Sequence, residues 1–226
     1  MSTAREQELQ ISVGEGRVSG LLIAPKQARA CYVLAHGAGA GMRHPFMASV
    51  AQGLAERGVA TLRYQFPYME RGSKRPDSAK AAQEAVRAAV AKAATLLPKL
   101  PLFAGGKSYG GRMTSQAQAE APLEGVRGLA FLGFPLHAPG KPSATRAEHL
   151  ARVKIPMLFL QGTRDDLADL DHLKPVVAGL GPCATLKLFE NADHSFRVPT
   201  KSGRSNAEVM TELLDALANW AEEILR

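Results

Sequence analysis

The sequence predicts an α/β fold, a single domain over residues 1–226 built on a mostly parallel sheet. Three observations predict it. Short apolar runs without alternation recur along the chain, the pattern of strands buried on both faces. Helical stripes separate these runs, as βαβ units with right-handed crossovers require. A length of 226 residues lets one domain bury a core without disulfides or metals.

The first element alternates, Leu9-Gln10-Ile11-Ser12-Val13, and Gly14-Glu15-Gly16 turns the chain into a second run from Arg17 to Ala24. This reads as an antiparallel hairpin at a sheet edge, ended by Pro25. The buried runs follow: Cys31 to Ala35, Val59 to Tyr64, Leu102 to Ala104, Leu129 to Phe134, Met157 to Leu160 and Leu186 to Phe189. Between the first two, Phe46, Val50 and Leu54 share a helix face that Gly58 is suited to close. Ala82, Val86, Ala89, Val90, Ala93 and Leu97 stripe a long helix stopped by Pro98. Ser205-Asn206-Ala207-Glu208 has a capping-box pattern, and the last helix then presents Met210, Leu213, Leu214, Leu217, Ala221 and Ile224. Two loops, Gln65 to Asp77 and Pro135 to Ala147, exceed what a connection needs, and long loops in compact domains tend to carry function.

Composition narrows the function classes. Hydrophobic residues make up 46% and charged ones 22%, an ordinary globular balance. The two cysteines, Cys31 and Cys183, lie at or beside apolar runs and read as buried, reduced thiols of a cytoplasmic protein. No Cys/His spacing suggests zinc. The stretch from Met1 to Glu8 is polar and lacks the apolar core of a secretory signal. No apolar run is long enough to span a bilayer, so the reading is cytoplasmic, with no membrane partner. The formal charge of +7 is scattered, dense only at Arg71-Gly72-Ser73-Lys74-Arg75. Without a basic helix or an aromatic platform beside it, this loop does not make nucleic acid a partner.

The chemistry starts at Leu102 to Met113, which reads as strand, tight turn and helix. Gly106, Ser108 and Gly110 match the Gly-x-Ser-x-Gly pattern. A turn this sharp strains the serine backbone, and small residues two positions before and after it avoid collision with the neighbouring strand and helix. Ser108 then projects above a helix N-terminus, where developing negative charge is favoured. A phosphate-binding loop is excluded, because the position five before Gly106 is Pro101 rather than Gly.

A serine hydroxyl needs a base, and the base needs an orienting acid. Of six histidines, His194 follows the last predicted strand and so opens on the same sheet edge as Ser108. The acid belongs after the preceding strand, in Gly162-Thr163-Arg164-Asp165-Asp166. Asp165 is the choice, because a short Gly-led turn returns it over the strand end; Asp166 is the alternative. The order Ser108, Asp165, His194 differs from the orders of the chymotrypsin and subtilisin folds. For the oxyanion, one donor is the amide of Tyr109. The other belongs to His36-Gly37-Ala38-Gly39-Ala40-Gly41, assigned to Ala38 with Gly37 as fallback. His36 itself reads as a brace of that loop.

With these residues in place, the sequence resembles the α/β-hydrolase superfamily over essentially the whole chain. The resemblance rests on His36 to Gly39, Gly106 to Gly110, Gly162 to Asp165 and Asp193-His194-Ser195-Phe196, in that order. Within the superfamily it resembles the small, dienelactone-hydrolase-like group, and there an uncharacterised bacterial branch similar to a subunit of a eukaryotic histone-acetyltransferase complex. The resemblance implies an eight-stranded, mostly parallel sheet with helices on both faces, and no cofactor. Dienelactone hydrolase has cysteine as nucleophile where this chain has Ser108.

The expected activity is hydrolysis of small-molecule esters or thioesters through an acyl-enzyme. Two alternatives share these residues: a binding or scaffold protein without useful turnover, and acyl transfer or peptidase chemistry. About twenty residues separate Phe134 from Ile155, too few for a cap domain. Lys74, Arg75 and Lys141 are the sequence candidates for attracting an acidic substrate group.

Overall fold

The fold, a computed structural model, describes residues 5–226. Residues 1–4 of the polar N-terminal stretch lie outside the described residues. Eight strands form one sheet: β1 (Glu6–Val13), β2 (Gly16–Ile23), β3 (Ala30–Ala35), β4 (Val59–Tyr64), β5 (Leu102–Lys107), β6 (Val126–Leu132), β7 (Met157–Gly162) and β8 (Ala184–Phe189). Their order is β1-β2-β4-β3-β5-β6-β7-β8, with β1 and β2 antiparallel to each other, β2 antiparallel to β4, and all later pairs parallel.

The helices are α1 (Pro45–Glu56), α2 (Pro67–Glu70), α3 (Ala79–Leu96), α4 (Tyr109–Glu120), α5 (Leu170–Gly179) and α6 (Asn206–Leu225). Every residue of β3, β4 and β7 is buried, which is why these runs do not alternate. On β3, Cys31, Val33 and Ala35 join the core under α3, α4 and α5, while Tyr32 and Leu34 join the core under α1 and α6. The sheet is thus covered on both faces. Arg63 is the one charge inside β4; its guanidinium is held by Glu6 of β1 and by the Met42 carbonyl.

Residues 133–156, between β6 and β7, contain a single 3₁₀ segment, Thr145–Arg152, and no cap domain. That segment packs on α4. The chain leaves β3 toward β4 on one side, and β5 pairs on the other side of β3. The loops after β3 and β5 therefore diverge at the carboxyl edge of the sheet, where doubly wound sheets place their sites.

Several expectations need correction. The loop from Gln65 to Asp77 contains α2, and α5 has no counterpart in the sequence reading. Pro175 interrupts α5, and only Leu173 and Val177 are buried on it, so its apolar stripe is too short to register. On α6 the core face includes Val209 and Trp220, while Met210 and Ile224 are half-buried. Cys31 is buried, but Cys183 is only half-buried; both are free thiols.

Candidate active site

Ser108 links β5 to α4 at φ 51° and ψ −116°, one of three non-glycine residues with positive φ among the described residues. Such a conformation is strained and persists only where surrounding structure holds it. Here the Ser108 amide donates to Leu132 O at 3.1 Å and its carbonyl accepts from the Arg112 amide at 3.1 Å. The flanking glycines fit as the pattern requires. A Cβ on Gly106 would collide with the Ala35 carbonyl, and one on Gly110 would lie 2.6 Å from His36 O. The turn is pressed against the end of β3, and only glycine fits.

Asp165 and His194 meet at the ends of β7 and β8. His194 Nδ1 lies 2.7 Å from Asp165 Oδ2. A carboxylate only accepts, so Nδ1 carries the proton and Nε2 is left with a lone pair. Asp165 is buried; its Oδ2 also accepts from Gln161 Nε2 at 2.5 Å, and its Oδ1 from the Leu167 amide at 2.9 Å. Asp166 is exposed and forms no hydrogen bond or ion pair with His194. The His194 loop is shaped by Asp193, whose Oδ1 accepts from the amides of Ser195 and Arg197. Ser108 and His194 both line a cavity of about 680 Å³, walled by Gly37, Ala38, Phe46, Phe196 and Met210 among others. No hydrogen bond joins Ser108 to His194 here, which is common before substrate tightens such a site.

The family model for the alpha/beta hydrolase domain matches residues 28–222. The chain belongs to the α/β-hydrolase family. Solved structures share its fold. Dienelactone hydrolase from Anabaena variabilis superposes with TM-score 0.79 at 22% identity, covering 98% of this chain and 99% of that one. A serine hydrolase without lid from Xanthomonas campestris gives 0.74 at 19% identity, covering 97% and 96%. An α/β serine hydrolase homologue from Coxiella burnetii gives 0.73 at 18% identity, covering 94% and 96%. This uncapped α/β-hydrolase carries no helix, among its described residues, long and apolar enough to cross a membrane.

Of the remaining sequence candidates, Ala38 lines the same cavity and Tyr109 follows Ser108 as the first residue of α4. The Ala38 and Tyr109 amides have no hydrogen-bond partner among the described residues, so both are free to donate. The loop bearing Ala38 is braced by His36, as expected: Nδ1 donates to Gly37 O at 2.7 Å and Nε2 accepts from the Phe66 amide at 3.1 Å. Burial holds the His36 pKa down to about 4, so the ring stays neutral and both bonds persist. His44 caps α1 through Nδ1, and His137 Nε2 accepts from the Asp169 amide. Lys74, Arg75 and Lys141 are exposed, and none of them lines the cavity.

Three features escaped the sequence reading. Gln161 bridges Asp165 and the Phe134 amide; a lone polar residue ending the apolar run of β7 is the only signal it leaves. Lys107 lines the cavity with a partly exposed stem, but its Nζ is buried and has no hydrogen-bond partner among the described residues. A Cβ on Gly133 would lie 3.0 Å from Lys107 Nζ and 3.3 Å from the His194 ring, so Gly133 makes room for both. Burial lowers the Lys107 pKa to about 8, and Asp165 and Asp193 oppose the drop. The third is a second serine–histidine pair, Ser115 Oγ and His149 Nε2, 2.7 Å apart. It has the atoms of an activated serine, but Ser115 is fully buried and neither residue lines the Ser108 cavity.

A larger groove of about 960 Å³ lies at the opposite edge of the sheet. Two of its arginines are paired, Arg57 with Asp215 at 2.6 Å and Arg29 with Glu222 at 3.6 Å. Among the described residues no cluster of three or more His, Cys, Asp or Glu is placed to hold a metal ion.

Proposed function

We propose that this α/β-hydrolase, acting as one domain over residues 1–226, is a serine hydrolase of small ester or thioester substrates. The observation that carries the reading is the Asp165–His194 pair, whose histidine shares one cavity with a strained Ser108. Ser108 is the nucleophile, His194 the base and Asp165 the orienting acid. As Ser108 Oγ attacks the carbonyl carbon, its proton passes to His194 Nε2 and the carbonyl π pair moves onto oxygen. The Ala38 and Tyr109 amides hold that oxyanion. Collapse expels the leaving alkoxide or thiolate, which takes the proton from His194, and an acyl-enzyme remains. Water, deprotonated by His194, then releases the acid by the same route. Asp165 keeps the proton on Nδ1 and stabilises the imidazolium that forms twice per turnover.

The test is a panel of 4-nitrophenyl esters and acyl thioesters run beside Ser108→Ala, with fluorophosphonate labelling in parallel. Ser108→Ala should lower kcat by roughly a millionfold and abolish labelling. A Ser108→Ala protein that cleaves at the wild-type rate overturns the assignment. A wild-type protein that neither labels nor turns over favours the scaffold reading.

A further inference from the structure

A bulky side chain at positive φ is strained, because its Cβ crowds the neighbouring backbone. Of the three non-glycine residues in that region among the described residues, two line the Ser108 cavity: Ser108 itself and Phe196, at φ 60°. Phe196 follows His194 by two positions, and one turn holds both. The Phe196 amide donates to the Asp193 carbonyl at 2.9 Å, and the Asp193 amide donates to the Arg197 carbonyl at 2.9 Å. Asp193 Oδ1 accepts from the amides of Ser195 and Arg197. Strain of this kind persists where the surroundings fix it, and it gathers at catalytic groups and ligand clamps.

The strained turn sets an inward ring. Phe196 is only 3% exposed; it meets Phe189 edge-on at 5.5 Å and stacks on Phe46 of α1 at 6.0 Å, with planes 11° apart. The Lys107 ammonium lies over the same ring, 5.8 Å from its centroid. Asn206 Oδ1 accepts from the Val198 amide at 2.9 Å and ties the loop to the start of α6, which carries Met210. Phe46 and Met210 are half-buried, and both open on the cavity. The cavity thus has an apolar wall drawn from α1, the His194 loop and α6, with the exposed His44, Ser49 and Asn206 at its rim.

Chemistry decides which part of a substrate meets this wall. The attacked carbon carries an oxygen, a leaving atom and an acyl chain. The oxygen turns to the Ala38 and Tyr109 amides. The leaving atom must reach His194 Nε2, which supplies its proton. The acyl chain takes the direction away from both. Because the wall is built on the turn that carries His194, it stands on the leaving-group side. Among the described residues no carboxylate lines the cavity, whereas Lys107 and Arg197 do, which disfavours a cationic alcohol. We propose that Phe46, Phe196 and Met210 form a leaving-group subsite, which selects esters or thioesters of uncharged, apolar alcohols or thiols and discriminates less among acyl chains. The proposal rests on Ser108 being the nucleophile and His194 its base.

The test compares kcat/KM along two series. One keeps the acetyl group and changes the alcohol, as ethyl, hexyl and 2-phenylethyl acetate. The other keeps ethanol and lengthens the acid, from ethyl acetate to ethyl hexanoate. Hexyl and 2-phenylethyl acetate should exceed ethyl acetate roughly ten- to hundredfold, and ethyl hexanoate should exceed it by less than about threefold. The hexyl-to-ethyl ratio, taken within each variant, should fall roughly tenfold in Phe46→Ser and in Met210→Ser, and Met210→Leu should keep it. Met210→Ser serves where Phe46→Ser does not fold. Acetylcholine should be cleaved more slowly than its neutral isostere, 3,3-dimethylbutyl acetate; the reverse order overturns the restriction to uncharged alcohols. Ser108-dependent cleavage that ignores the alcohol, gains more from the acyl chain, or keeps its hexyl-to-ethyl ratio in both serine variants overturns the subsite and leaves the nucleophile standing. Saturation-transfer NMR of 2-phenylethanol with Ser108→Ala reads the wall without turnover. Binding that Phe46→Ser weakens, with no Ser108-dependent cleavage by the unsubstituted protein, supports the apolar alcohol site and overturns the nucleophile instead. No binding to Ser108→Ala overturns the subsite.

Discussion

Asp165 and His194 are held by different strands, and the 2.7 Å contact between them depends on Gln161 fixing the carboxylate from behind. Asp165→Asn should therefore keep the shape but donate where it must accept, putting the wrong tautomer on His194. The expected fall in kcat is about ten-thousandfold, read with the same chromogenic esters. Lys107 makes an opposite kind of prediction. Its folded pKa, about 8, lies below the 10.5 of an ordinary lysine, so between those values the unfolded chain binds the extra proton. Stability from this group thus rises with pH from about 8 to 10.5 and its burden is full below 8. Lys107→Met should raise the denaturant midpoint at pH 7 and change it little at pH 11. A midpoint that drops at pH 7 would mean that the ammonium is a net support. The triad candidates were legible because each follows a run that reads as a strand. Gln161 and the burial of Lys107 Nζ were not, since both depend on which strands become neighbours.

At the scale of elements, the nucleophile turn is the least forgiving. Gly110→Val places carbon where His36 O already sits, 2.6 Å from the Cβ position, and backbone cannot yield as a side chain does. Loss of soluble folded protein, or of fluorophosphonate labelling in what remains, is the expected outcome. The α6 cap should be mild by comparison. Ser205 Oγ accepts from the Glu208 amide at 3.2 Å while the Glu208 carboxylate accepts from Ser205 N at 2.6 Å. Ser205→Ala should lower Tm by about 2–4 °C in a calorimetric scan. That box was readable from four residues because it is purely local. The central strands β3, β4 and β7 were readable because complete burial suppresses alternation, and β1 because it alternates, whereas β8, read as a buried run, is an edge strand with only Phe189 buried. The short α5 was not, because Asp169 starts it, Pro175 interrupts it and two buried side chains make no stripe.

For the whole molecule, acid is the weak side. His36 and His149 are neutral in the fold, each with its pKa down to about 4 from 6.5. Between those values the unfolded chain takes up protons that the folded one refuses, so stability falls as pH drops from about 6.5 toward 4. For His36 the slope is up to about 1.4 kcal/mol per pH unit. Denaturant titrations across this range should show it, and His36→Gln should flatten it; an unchanged slope would put the acid sensitivity elsewhere. Loop and sheet are coupled through this ring, since its protonation would break the bond to the Phe66 amide that sets the wall bearing Ala38.

The two thiols offer something of practical use. Cys31 is sealed inside β3, its pKa pushed up to about 12, whereas Cys183 stands half-buried just before β8 and outside the lining of the Ser108 cavity. A maleimide dye should then attach once per folded chain, at position 183, and report on the protein without touching the serine. A second dye enters only when β3 leaves the centre of the sheet. Counting labels against time, by mass, would turn that buried sulfur into a clock for how often the molecule opens.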